Sequence, residues 1–424
     1  MGPLLVAACV SLAVWLWLTF GQGMFWRTDN RLPPRHAPAH WPSVAIIVPA
    51  RDEAAVLPLS LPSLLAQDYP GEAEVILVDD GSSDGTAALA RRLADAHPGL
   101  PLTILSPGDP DPGWTGKLWA LRHGITHAVN PMSAPPAPSA PSAPPAPSTP
   151  STPSAPPAPS APSPPSVPPP AYLLLTDADI AHEPDSLREL VSAATTAGLD
   201  LVSQMARLRA VSAWERLIVP AFVYFFAQLY PFRWINRPNA RTAAAAGGCV
   251  LLRTEAAVRA GVPDSIRQAV IDDVSLARAV QRTGGRIWLG LAERVDSVRP
   301  YDSLGDLWRM VSRSAYAQLR HQPALLAGTV AGLVLVYLVP PAALLAGLAA
   351  GSPAVAWAGG PAWLLMTATY LPMLRYYRQP PALAPLLPLT ALLYLLMTVD
   401  SAVQHYRGRG ASWKGRTYAR PGDA

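Results

Sequence analysis

Three acidic clusters recur in order along the chain: Asp79-Asp80 in VDDGSSDGT, Asp177 and Asp179 in TDADI, and Asp272-Asp273 in IDDVSLA. The first two follow short apolar runs, EVILV and YLLLT, that read as buried strands. Carboxylates at the carboxyl ends of parallel strands point into the crevice where α/β proteins bind ligands. Acids there are costly unless they hold a metal, grip a nucleotide or move protons.

Each cluster suits one of those tasks. The polar turn Pro49-Ala50-Arg51-Asp52-Glu53 leaves the first strand, where a base or ribose can be gripped by Arg51 and Glu53. Asp79 or Asp80 can accept hydrogen bonds from the same nucleoside, while Gly81 and Gly85 allow tight turns and Asp84 caps the next helix. In TDADI two carboxylates one residue apart can reach one hard cation, Mg²⁺ or Mn²⁺, leaving positions open for diphosphate oxygens. Asp177 and Asp179 are the expected ligands, with His182 as a further ligand or a surface histidine. An acid in IDDVSLA can deprotonate a hydroxyl; Asp273 is the candidate general base, with Asp272 orienting or capping.

Other residues complete the set. Lys117 in Gly113-Trp114-Thr115-Gly116-Lys117 stands near a helix start, placed for a phosphate or a sugar hydroxyl, or simply solvated. This is not a Walker A loop. Gly247-Gly248-Cys249 permits close approach of a ligand or tight packing. Arg309 and Arg313 lie one helical turn apart and suit either a diphosphate clamp or lipid headgroups.

The elements that must position these residues alternate. Strand-like runs cover Val44–Val48, Glu74–Val78, Leu102–Leu105, Tyr172–Thr176, Leu199–Ser203, Cys249–Leu252 and Arg286–Leu289, with helical stretches such as Thr86–His97 and Leu118–Val129 between them. That order predicts an α/β domain with a mostly parallel sheet covered on both faces. The aromatic run Leu217–Trp234 is expected as an interfacial or groove-lining helix, with a plain core helix as the alternative. Residues 131–170 are almost purely Pro, Ala and Ser and cannot build a core, so they read as a disordered, deletable surface insertion or a docking site for a partner.

Half of the 424 residues are hydrophobic and 15% are charged, against roughly a quarter in an average soluble protein. That deficit points to a membrane. The net charge of +4 and scattered arginines give nucleic-acid binding no support, and Cys9 and Cys249 offer no disulfide framework. An uncleaved anchor is expected within residues 1–22, with Arg27, Arg31 and Arg35 on its cytoplasmic side. Further spans are expected at about Ala324–Ala350, Ala354–Leu374 and Leu383–Val399, within a membrane region of residues 324–403. Three such crossings would put the basic tail, residues 404–424, outside. A re-entrant break at Pro340-Pro341 would return it to the cytoplasm, the preferred side.

Taken in order, VPARDEA, VDDGSSDGT, GWTGKLWAL, TDADI, GGCVLL, IDDVSLA and the tail motif SWKGRTY resemble family 2 glycosyltransferases of the GT-A fold. Within that family they look most like the hopene-associated glycosyltransferases encoded beside hopanoid-biosynthesis enzymes. The likeness covers Val44 to Arg320, within an expected catalytic domain of residues 42–320. It implies a nucleotide-diphosphate sugar donor, a divalent metal and inversion at the anomeric carbon. By the same resemblance Glu53 and Asp80 serve the nucleoside, Asp177 and Asp179 the metal and diphosphate, and Asp273 the base. A lipid acceptor, by analogy a hopanoid alcohol, and a multi-pass inner (plasma) membrane protein with a cytoplasmic catalytic domain are expected too. Processive members carry a Q-x-x-R-W motif where this chain reads RMVSRSAYAQLRH, which favours transfer of a single sugar over polymer synthesis. A catalytically silent membrane scaffold is the non-enzymatic alternative. A dinucleotide oxidoreductase is disfavoured, because no G-x-G-x-x-G follows the first strand.

Overall fold

A computed structural model describes residues 1–130 and 168–407, together with the backbone of 412–413 and 416–417. Residues 131–167 of the expected insertion, and all of the tail beyond 407 except those two backbone pairs, lie outside the described residues.

The strands are β1 (Val44–Ala50), β2 (Ala73–Asp79), β3 (Leu102–Leu105), β4 (Tyr172–Thr176), β5 (Ile180–His182), β6 (Leu201–Arg207), β7 (Cys249–Arg253) and β8 (Ile287–Ser297). They form one eight-stranded sheet in the order β3-β2-β1-β4-β7-β6-β8-β5. The helices are α1 (Gly2–Phe20), α2 (Leu57–Leu65), α3 (Thr86–Ala96), α4 (Gly116–Val129), α5 (Ser186–Ala197), α6 (Ala213–Leu229), α7 (Phe232–Ile235), α8 (Thr254–Arg259), α9 (Asp272–Arg282), α10 (Leu304–Gln318), α11 (Pro323–Leu333), α12 (Val339–Ala349), α13 (Pro353–Tyr376) and α14 (Leu387–Tyr406).

Strands β3, β2, β1 and β4 are parallel, as the alternating pattern predicts. The sheet as a whole is mixed, because β7 runs antiparallel to both β4 and β6 and β5 runs antiparallel to β8. The reversal has a local purpose: pairing Thr176 with Cys249 brings Gly247-Gly248 beside the end of β4, where TDADI begins. Every residue of β1 and of β4 is buried, which explains their unbroken apolar runs. Alternate side chains feed two cores. Ile47, Ile76, Leu173 and Leu175 face one layer with α4, α6 and α9, and Ile46, Leu77 and Leu174 face the other with α2 and α5.

Helix α6 joins the sheet to the apolar helices. A capping box of Ser212 and Glu215 starts it, and the buried Glu215 also accepts the Tyr301 amide at 2.8 Å. Tyr224, fully buried, packs edge-on against Phe25 and Tyr370 and shares a 2.8 Å hydrogen bond with Thr369. Phe225 meets Tyr337 and Tyr394 in the same manner. With neighbours on both sides, α6 is a core helix, not the interfacial helix that its aromatic composition suggests.

Among the described residues three helices are long and apolar enough to cross a membrane, Gly2–Phe20, Pro323–Ala349 and Pro381–Tyr406, and the span expected at about Ala354–Leu374 is not one of them. The second helix also corrects an expectation. Pro340-Pro341 does not break the run into a hairpin; the helix continues through a π turn at Val334–Leu338. Pro340 has no N–H to give the Val336 carbonyl four residues back. The buried Trp15 of α1 supplies the missing donor, its indole Nε1–H reaching that carbonyl at 2.7 Å. Helix α13 folds back along α12 at contact distance: a Cβ at Gly359 would lie 2.7 Å from the Leu344 nitrogen and the Pro340 carbonyl oxygen. Helix α14 returns to α10, where Asp400 accepts from the Trp308 indole and the Tyr406 hydroxyl meets Tyr316.

The π turn gives a direct test. Trp15→Phe orphans the Val336 carbonyl and should cost about 1–3 kcal/mol, read as a lowered thermal midpoint in detergent. Pro340→Ala restores a backbone donor, so the double variant should lose less than Trp15→Phe alone. Purely additive losses would rule out the indole as the substitute donor.

Candidate active site

The loops after β1 and β2 are laced together before any ligand arrives. The Asp52 amide donates to Ser82 Oγ, the Glu53 amide to Thr86 Oγ1 and the Ala54 amide to Asp84 Oδ2, each at 2.9 Å. Asp84 Oδ1 also accepts the Thr86 amide at 3.0 Å, which makes it the cap at the start of α3 that its position predicts. Asp79 folds onto its own turn, with Oδ1 accepting from the Ser82 amide at 3.0 Å. Asp80 is fully buried and faces Arg51, whose Nη1 lies 3.6 Å from Oδ2. Arg51 also donates to the Asp80 carbonyl, so one arginine secures both ends of that residue.

The remaining acids are held in two cation clamps. Lys117, in the first turn of α4, places Nζ 2.8 Å from Asp177 Oδ1 and 3.0 Å from Asp272 Oδ2. It therefore bridges the end of β4 to the start of α9 and is not a solvated lysine. Burial alone would lower the Lys117 ammonium, but Asp177 and Asp272 outweigh it and hold its pKa above the ordinary lysine range. Burial raises the Asp177 carboxyl against the opposing pull of Lys117. In the second clamp Arg299 donates from Nε to Asp179 at 2.5 Å and from Nη2 to Glu53 at 2.6 Å. Burial opposes the charge on Arg299 as well, and again the two carboxylates prevail.

Arg299 is the site residue that sequence reasoning missed. The predicted last strand stops at Leu289, whereas β8 continues to Ser297 and delivers Arg299 across the crevice. An excess of expected acids over expected cations was the available signal.

Asp273 lies on the Lys117 side of the site, lining one recess with Lys117, Asp177 and Asp272. Its Oδ1 accepts the Val274 amide at 2.7 Å and its Oδ2 accepts the Gly247 amide at 3.1 Å. Burial first, and then the charge of Asp272, push its carboxyl up to about 7. Gly247 lies so close that a Cβ there would be 3.4 Å from Lys117 Nζ and 3.7 Å from Asp273 Oδ2. Lys117, Asp177, Asp272 and Asp273 line a small recess together with the apolar side chains of Leu118, Leu121, Val250 and Leu276. A carboxyl titrating near neutrality beside apolar side chains can take a proton from a hydroxyl.

Two expected positions fall elsewhere. His182 is neither a metal ligand nor a surface residue: it is buried in β5, its ring nitrogens 3.0 Å from Thr176 Oγ1 and Ser186 Oγ. Burial pushes its pKa down to about 4, so it stays neutral. Arg313 is exposed on α10 and belongs to neither clamp; its charge is felt at Tyr301, where burial and then Asp179 raise the phenol and Arg313 opposes them. Arg309 pairs with Asp306 on its own helix.

Among the described residues no three His, Cys, Asp or Glu side chains form a ready metal cage. The hard oxygens of Asp177 and Asp179 nonetheless suit Mg²⁺ or Mn²⁺, ions commonly held by one or two carboxylates with substrate phosphates completing the shell.

The family described as "Glycosyltransferase like family 2" matches residues 42–317. A mannosyltransferase from Pyrobaculum calidifontis, solved in complex with GDP-Man and Mn²⁺, superposes with a TM-score of 0.56 at 20% identity, over 95% of this chain and 99% of that one. That likeness shows the GT-A fold. A 4,4'-diaponeurosporenoate glycosyltransferase of Staphylococcus aureus is 36% identical over 86 residues, 20% of this chain and 21% of the relative. Glycosyltransferase AglE of Haloferax volcanii is 38% identical over 64 residues, 15% of this chain and 21% of that protein. The chain thus matches about a fifth of the length of these curated relatives. With the family match extending over most of the chain and the fold in agreement, the protein belongs to the family 2-like glycosyltransferases.

Proposed function

We propose that this protein is a membrane-bound inverting glycosyltransferase that moves one sugar from a nucleotide-diphosphate donor to a lipid alcohol, of which a hopanoid alcohol is the favoured example. The observation that carries this reading is Asp273, held by the Gly247 and Val274 amides beside the Lys117 clamp. The nucleoside is gripped by Glu53, Arg51 and Asp80, with Asp79 shaping the turn. Lys117 and Arg299 hold the acids in register and present positive charge to the diphosphate, while Asp272 orients Lys117. Asp273 takes the acceptor hydroxyl proton as that oxygen bonds to the anomeric carbon. The bond to the diphosphate breaks on the opposite face, inverting the centre. A divalent ion, Mg²⁺ or Mn²⁺, would be held by Asp179 and Asp177 and would supply charge neutralisation for the departing diphosphate. The GDP-Man and Mn²⁺ of the structural neighbour support both donor class and metal.

The acceptor reading is supported by the apolar helices packed directly on α6 and α10. The catalytic domain is placed at the cytoplasmic face of the inner membrane, where Arg27, Arg31 and Arg35 follow α1. The contact of Tyr406 with Tyr316 of α10 supports a tail that starts on the catalytic side.

Asp273→Asn should lower kcat by about 10²–10⁴-fold while donor affinity, measured by calorimetry, stays near wild type. Unchanged turnover would remove Asp273 as the base. Because its pKa is raised, kcat/KM of the wild type should fall as pH drops through about 7. A plateau down to pH 5 would contradict the assignment. Chelation of divalent ions should abolish donor binding, and Asp179→Asn should weaken Mn²⁺ binding followed by electron paramagnetic resonance. Equal Mn²⁺ affinity in that variant would exclude Asp179 as a ligand.

A further inference from the structure

We propose that a second, basic recess on the catalytic domain binds the phosphate group of an anionic phospholipid at the membrane surface. The recess is lined by Tyr230, Arg241, Thr242, Ala243, Arg278, Gln281 and Arg282 and has a volume of about 350 Å³, at the lower end of small-molecule sites of about 300–1,000 Å³. Its three guanidinium groups come from two separate segments and form no ion pair or hydrogen bond with the described residues. Arg278 and Arg282 are one turn apart on α9, an unfavourable like-charge spacing. Arg282 can be accounted for by its place in the last turn, where a cation suits the helix dipole. That does not account for Arg241, which the chain brings over the same face.

The convergence is built in. Gln281 donates from Nε2 to the Ala240 carbonyl at 2.9 Å and to the Thr242 carbonyl at 3.3 Å, pinning the segment that carries Arg241 onto α9. The location points to lipid. Tyr230 lines the recess and its hydroxyl accepts from Gln318, the last residue of α10. The apolar α11 begins five residues later, at Pro323. Beside Tyr230, Leu229 leaves 61% of its surface exposed. A cluster of arginines with an apolar edge, where the chain turns into a span, fits a phosphodiester headgroup with its acyl chains alongside. This site is distinct from the acid clamps and needs no turnover to be observed.

The test uses the full-length protein in detergent, incubated separately with phosphatidylglycerol, phosphatidylcholine or inorganic phosphate. Retained lipid is read by native mass spectrometry and stability by the thermal midpoint. Wild type should retain phosphatidylglycerol at least about tenfold more strongly than phosphatidylcholine, the scale expected for losing charge-assisted contacts. The double variant Arg278→Gln/Arg282→Gln should lose that preference, and Arg241→Gln, on the other segment, should weaken it independently. Should the double variant fail to fold, Arg241→Gln decides. Equal retention of the two lipids, or an unchanged preference in the variants, would overturn the proposal. So would equal stabilisation by inorganic phosphate, which would assign the recess to a soluble anion.

Discussion

Carboxylate crowding is the constraint on which the rest of the catalytic domain depends. Glu53, Asp80, Asp177, Asp179, Asp272 and Asp273 gather at one edge of the sheet, and Asp177 and Asp273 are raised by burial. Left to themselves such groups would take up protons or push the strand ends apart. Lys117 and Arg299 prevent this because each bridges two acids from different elements. One cation ties α4 to β4 and α9, and the other ties β8 to β4 and the β1 loop. The clamps are therefore structural ties as well as chemistry, and removing either cation would leave two carboxylates facing each other in a partly desolvated crevice.

The sheet reversal follows from the same need. A parallel strand beside β4 would carry its following loop to the same edge, with a helix to accommodate there. The antiparallel β7 instead brings its preceding residues, and these are small: Gly247 and Gly248. They leave room for Lys117 and offer the Gly247 amide to Asp273. Four alanines precede them, Ala243 to Ala246, all buried, so the chain passes under α9 without displacing it. At the other face of that core, α6 lays aromatic rings against α13, α14 and the π turn. The catalytic sheet and the apolar helices thus share one packed interior, with α6 as the common wall.

The sequence made the strand ends legible because their signals are local: an apolar run, then acids. The two cores of β1 and β4, the cap at Asp84 and the gathering of all three acid clusters could be read in that way. Arg299 could not, since nothing near SVRPYD announces that β8 runs long or that its end crosses to Glu53. Composition also misplaced His182 and α6. A histidine three residues past a D-x-D pair looks like a ligand until β5 turns its ring toward Thr176 and Ser186. An aromatic, proline-bearing helix looks interfacial until tertiary packing covers both of its sides. Pro340-Pro341 suggests a break for the same reason, because Trp15, the compensating donor to the Val336 carbonyl, lies 321 positions from Val336 in the chain.

Charge balance links the geometry to the proposed donor. With its acids ionised, each clamp holds one cation against two carboxylates and carries a net charge of minus one. The pair together leave a deficit that one divalent cation would balance, and the two D-x-D carboxylates, one from each clamp, are the groups it would draw upon. A nucleotide diphosphate brings its own negative charge and would be repelled by the acids alone. With the cation it would be held, and Lys117 and Arg299 would be freed in part to face phosphate oxygens. Asp273 would feel the same redistribution, since Lys117 is the charge that draws its carboxyl down against burial and Asp272. On this argument the clamps hold the acids of the crevice in register, and metal and donor together would offset the charge that each clamp leaves over.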